Sequence, residues 1–182
     1  MNKDELKEKQ MRSSAARELG KLSYEMALNR EKIIDDKLGK TMTFVSIVIA
    51  LVSFIYKELK IYGEHKVTFN IIAPLSIQGK YIFALVIFML LSVIILSLVG
   101  QYGFKKSYIK IGEDLLKFMD SKSEYYNNEY NVDKMVINQY SNAHKSLLKT
   151  LAKKSGILFA AQLIIGIDIM IMIFTIVPTI LK

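Results

Sequence analysis

The sequence contains no cysteine and only two histidines, His65 and His144, which lie far apart. The first absence excludes a disulfide scaffold and a thiolate metal site and leaves the redox compartment open. The second argues against a histidine-based metal cluster built from one chain. A nucleophile elbow, a phosphate-binding loop and a Ser/His/Asp set are missing too, so the chain reads as a non-enzyme without a cofactor. It has no internal repeat and no low-complexity tract. The first forty residues are charged throughout and no small-residue cleavage site follows, so the first apolar segment is expected to stay in the mature protein.

What is present looks contradictory at first. The 182 residues are 52% hydrophobic yet 23% charged, with a net charge of +8, and the mean hydropathy is +0.27. Both hold only if the two classes are segregated along the chain, and they are. Three apolar blocks occupy residues 41–56, 81–100 and 156–181, and the only charge inside them is Asp168. A hydrocarbon core about 30 Å thick takes ~20 helical residues. The second and third blocks fit it, and the shorter first block fits if its flanking residues snorkel. The expected fold is an all-α membrane protein with three transmembrane helices and an amphipathic cytoplasmic helical bundle. Segment 1–40 forms an amphipathic helix, 57–80 an external connector (a short hairpin or an interfacial segment) and 101–155 a helical hairpin.

Basic residues set the orientation. Arg30, Lys32, Lys37 and Lys40 precede the first block, Lys105, Lys106 and Lys110 follow the second, and Lys149, Lys153 and Lys154 precede the third. All fall on one side if the N-terminus is cytoplasmic and the C-terminus external, in a bacterial inner membrane. Asp35 and Asp36, beside Lys32, Lys37 and Lys40, read as helix-flanking ion pairs. On the cytoplasmic side Met11, Ala15, Leu19, Leu22, Met26 and Ile33 recur at helical spacing. Residues 105–120 repeat the pattern with Tyr108, Ile111, Leu115 and Met119. After a turn at 121–131, a third helix starts near Asn131 or Asp133. It carries Val136, Tyr140, Leu147, Leu148 and Leu151 and runs on into the third block. These stripes either bury against each other or pack between subunits.

Asp168 lies near the middle of the third block. An ionised carboxylate there costs roughly 2.5–3.5 kcal/mol on insertion scales, and no Lys or Arg lies in any block to neutralise it. Relief comes from a hydroxyl, protonation, water or another subunit. Ala161, Asp168 and Thr175 share a helix face by their spacing of seven. Two readings stand: a protonated acid bonded to a Ser or Thr of another span, or an acidic ring lining a cation path in a homo-oligomer. In the second, Asp168, Thr175, Ala161 and Gln162 line the pore. The basic cytoplasmic face also has two readings. Attraction to the lipid bilayer explains it, and so does an anionic ligand. For a nucleotide or oligonucleotide, Tyr125, Tyr126 and Tyr130 would stack on bases, and Arg30, Lys32, Lys105 and Lys106 would meet phosphates.

A charged helix leads through REKIIDDKLGKTM (Arg30 to Met42) into the first span, a short connector joins the second, and a long cytoplasmic helix follows. This layout resembles small membrane effectors of bacterial anti-phage defence: SLATT-type proteins, the transmembrane effectors of pyrimidine-cyclase (Pycsar) systems and Hailong-type channels. The third span departs from two-span members, and no position matches a family ligand motif. The resemblance implies an oligomeric inner-membrane pore or ion channel that disrupts the membrane. It would be gated from the cytoplasm by a nucleotide or partner protein, with a nucleotidyltransferase or cyclase as partner. The competing readings are a non-conducting helical adaptor and a holin-like lysis protein.

Overall fold

The computed structural model describes residues 3–58, 66–70, 74–104 and 129–180. Three helices dominate: α1 (Lys3–Glu58), α2 (Gly79–Tyr102) and α3 (Glu129–Ile180). All three are long and apolar enough to cross a membrane. Between α1 and α2 lies a two-stranded antiparallel hairpin of β1 (Lys66–Asn70) and β2 (Pro74–Gln78), registered from Lys66 opposite Gln78 to Asn70 opposite Pro74. The connector therefore forms a hairpin, the one departure from an all-helical fold among the described residues. Proline at the first position of β2 costs no interior ladder bond.

α1 has no proline and only Gly20 and Gly39 to weaken it. Its polar half is rich in good helix formers and carries i,i+4 ion pairs: Glu8 with Arg12, Lys21 with Glu25, and Asp36 with Lys40. Each such pair contributes about 0.2–0.5 kcal/mol. In the apolar half hydroxyls turn inward on their own helix. Ser46 donates to the Met42 carbonyl at 2.9 Å and Ser53 to that of Ile49 at 2.8 Å. Such bonds satisfy polar groups where lipid offers none. The helical pattern thus runs from Lys3 to Glu58 without a break. The segments expected as a cytoplasmic helix over 1–40 and a span over 41–56 are one element; α3 likewise runs unbroken into the third block and is already helical at Glu129, ahead of the start expected near Asn131 or Asp133.

The chain divides into two units. The first comprises Met1–Ile33 and Lys105–Ala152, the second Ile34–Phe104 and Lys153–Lys182. In the first unit α1 and α3 run parallel, tied by polar contacts. Asp133, almost wholly buried, accepts from the Ser13 hydroxyl at 2.8 Å and from Arg17 at 2.8 Å. Gln10 donates to Glu129 at 3.3 Å, and the rings of Tyr24 and Tyr140 lie 6.0 Å apart. Ala27, Ala143, Leu147 and Leu151 supply the apolar burial. The helix expected over 105–120 and most of the turn at 121–131 lie outside the described residues.

In the second unit the buried residues repeat every seven: Leu38, Val45 and Val52 on α1; Gly79, Val86 and Val93, then Gly100, on α2; Lys154, Ala161, Asp168 and Thr175 on α3. A strict seven-residue repeat keeps one seam facing inward when helices pack with a left-handed coil. Val45, Val52, Tyr56, Val86, Leu90, Val93 and Ala161 form the apolar cluster. Close approach needs Gly100, where a Cβ would stand 2.8 Å from Leu38 Cδ1 and 3.2 Å from Ile157 Cγ2. The outward faces are apolar as well, with Phe44, Phe54, Phe88, Ile95 and Phe159 among the most exposed. An apolar exterior of this kind suits lipid and not water.

Candidate functional site

The buried row on α3 sets out the site. Its first member, Lys154, has no solvent exposure, and its ammonium donates to Asp35 of α1 at 2.6 Å. Gln101 of α2 donates to the backbone carbonyl of the same Asp35 at 3.0 Å. One residue of α1 thus holds both other helices at this level. Asp36 pairs locally with Lys40, as expected of a helix-flanking acid, whereas its neighbour Asp35 serves the tertiary contact.

Two heptads further along α3, about 21 Å at 1.5 Å per residue, stands Asp168. Its side chain is wholly buried, and neither carboxylate oxygen has a hydrogen-bond partner among the described residues. Lys154 is too far away to neutralise it and is engaged with Asp35. The hydroxyl one step beyond, on Thr175, donates to the Ile171 carbonyl of its own helix at 2.7 Å. The Ser97 hydroxyl on α2 is buried without a partner among the described residues. The hydroxyl bond to Asp168 expected of a purely structural acid is therefore absent among the described residues. A carboxyl in such a place can hold a proton or a cation. No group of three metal-binding side chains occurs among the described residues.

Of the residues expected to line a pore, Ala161, Asp168 and Thr175 come together on this buried row, while Gln162 lies on the exposed side of α3. Of those expected to meet an anionic ligand, Arg30 and Lys32 are exposed on α1 and Tyr130 is half-buried on α3. Tyr130 follows Glu129, which is level with Gln10. Arg30 lies about 30 Å further along α1 at 1.5 Å per residue, so these three do not form one cluster. Lys105, Lys106, Tyr125 and Tyr126 lie outside the described residues.

Sequence reasoning missed Asp35 with Lys154, and Ser13 and Arg17 with Asp133. The first was within reach, because extending the row of Ala161, Asp168 and Thr175 back by seven lands on Lys154. The second had no signal, since a polar triad at helical spacing looks like any solvated face. Comparison with known proteins finds no matching family model, no matching curated protein and no matching solved structure.

Proposed function

We propose that this protein is an oligomeric membrane channel for cations, closed in the arrangement described above and opened by a change in packing of the cytoplasmic ends of α1 and α3. The observation that carries the reading is the Asp168 carboxyl, buried near the middle of the apolar part of α3 with both oxygens unpartnered among the described residues. A structural acid would be expected to find a hydroxyl. A conducting one needs its oxygens free for a passing ion or proton. Within one protomer the row Ala161–Asp168–Thr175 is sealed, so conduction requires α3 to turn or withdraw and present that row to a water path shared between copies. The Lys154–Asp35 pair opposes this movement and holds the closed packing.

In this reading the N-terminus is in the cytoplasm of a bacterial cell and the β-hairpin outside, which the basic clusters beside the spans support. There the first unit is available to a signal, a nucleotide or a partner protein, that shifts the balance by binding one packing better than the other. An anti-phage defence effector, quiet until triggered, fits this description. The deciding experiment is ion flux through the full chain reconstituted in liposomes or planar bilayers. Cation-selective conductance that falls or loses selectivity in Asp168→Asn is expected. Conductance identical in the wild type and Asp168→Asn would overturn the role of Asp168, and no conductance with or without nucleotides would overturn the channel.

A further inference from the structure

The contacts of the second unit fix what surrounds Asp168. Near one end Gly100 of α2 packs against Leu38 of α1 and Ile157 of α3. Near the other, the ring of Phe83 on α2 lies 5.0 Å from that of Tyr56 on α1. α2 therefore runs against α1. The Lys154–Asp35 bond and the packing of Ala161 with Val45 and Val52 carry α3 along α1 in the same direction. Counted from these contacts, Asp168 is level with Ile49 on α1 and with Met89 and Leu90 on α2. The cluster at this level is built from Val45, Ile49, Val52, Val86, Leu90 and Val93, without a polar side chain among them. The nearest hydroxyls are engaged or distant. Ser53 and Ser92 donate to carbonyls of their own helices at 2.8 and 2.6 Å. Ser97 and Thr175 stand about 10–12 Å away along the axis at 1.5 Å per residue. All three helices are unbroken here, so their carbonyls accept the bonds of their own turns.

We infer that the ion taken by Asp168 is a proton and not a metal cation, and that the carboxyl stands protonated in this closed packing. A metal ion sheds its water only where about six oxygens replace it. Membrane sites collect those oxygens from rings of carbonyls or from unwound helix backbone. Among the described residues this level of the seam offers the two oxygens of one carboxyl and no unwound turn. A proton needs no such shell. One oxygen holds it, and the acid becomes neutral, the form that an apolar interior tolerates. Nor does any neighbour hold the carboxyl ionised. Of the elements packed on it, α1 brings one titratable group, Tyr56, about 10 Å further along the axis, and α2 brings none. On α3 the nearest charge is Lys154, two heptads back and bonded to Asp35. Lys57, Glu58, Lys80 and Tyr81, at the outer end, are exposed. That the same proton crosses the membrane rests on the channel reading; its binding at Asp168 does not.

Infrared spectroscopy of the full chain in liposomes tests the site, because a protonated carboxyl absorbs apart from both a carboxylate and the backbone amides. At neutral pH the wild type is expected to show a protonated-carboxyl band that is missing in Asp168→Asn and kept in Asp168→Glu. Sodium, potassium or calcium ions should leave it in place. A wild-type spectrum without that band, or its loss on adding any of the three ions, would overturn the proton as ligand. The unfolding midpoint in detergent gives a second reading that needs no variant, since an ion bound to the folded chain raises it with concentration. A midpoint indifferent to the three metals at constant ionic strength is expected, and a rise with one of them would overturn the proposal. In liposomes holding the wild type, a proton gradient should relax severalfold faster than sodium or potassium gradients. Equal rates would overturn the proton as the ion carried. No flux of any ion beside an intact protonated-carboxyl band would overturn the channel alone and support the proton site.

Discussion

At the scale of single residues, burial and not distance decides which ion pairs matter. Arg17 and Asp133 meet at 2.8 Å, as do many surface pairs, but Asp133 is buried while Arg17 is 43% exposed. Truncating Asp133 strips two donors of a buried acceptor, and Asp133→Ala is expected to cost about 2 kcal/mol. Arg17→Ala is expected to cost under about 1 kcal/mol, its guanidinium being partly solvated. Thermal unfolding of the detergent-solubilised chain orders the two. Lys154 presents the sharper case. Asp35→Asn removes the carboxylate that the buried ammonium meets at 2.6 Å, a loss of about 3 kcal/mol. Asp35→Asn with Lys154→Met should recover much of it. In flux measurements the single variant is expected to conduct without a trigger; a stable, silent Asp35→Asn would remove the pair from gating.

At the scale of elements, the three helices long and apolar enough to cross a membrane and the face of α3 that turns inward were legible in the sequence. Both follow from strong terms: the thickness of hydrocarbon sets the length of an apolar block, and one acid in a block of twenty-six residues with no other charge marks itself. The inward face of α1 in the first unit was not legible. Periodicity identifies residues that share a face, as with Met11, Leu19, Leu22 and Met26, but does not say what the face meets. The packing was decided by Asp133, whose need for donors draws Ser13 and Arg17 towards α3. The length of α1 was hidden for a related reason, because a change from charged to apolar residues near Thr41 alters the solvent and leaves the backbone untouched. Packing in the second unit gives a direct check on α2. Gly100→Val would drive a branched side chain onto Leu38 and Ile157 and is expected to cost about 1–3 kcal/mol, read as a lower unfolding midpoint in detergent.

At the scale of the whole molecule, the distribution of exposed apolar residues separates two environments. In the second unit they surround the helices, so the chain is expected to stay with the membrane pellet under alkaline carbonate; release to the supernatant would contradict the spans. For the proposed orientation, Thr68→Cys on β1 should react with an impermeant maleimide added outside intact cells. Lys145→Cys on α3 should react only after permeabilisation, and the reverse pattern would invert the topology. The charge balance adds up in the same terms. The segments outside the apolar blocks are all net positive, and Asp168 is the single negative charge set within the blocks.

The seven-residue rows of the second unit would also leave a mark on inheritance. Leu38, Val45 and Val52, Gly79, Val86 and Val93, and Lys154, Ala161 and Asp168 each return to the same seam after two turns. In a population of randomly mutated genes, survivors should therefore show a beat of seven through the apolar segments, with free exchange among Leu, Ile, Val and Phe on the intervening lipid-facing sites. On α3 the beat would change character along its length, demanding a cation at 154, a small residue at 161 and an acid at 168. A filter for function added to one for abundance would sharpen it only at the last of these.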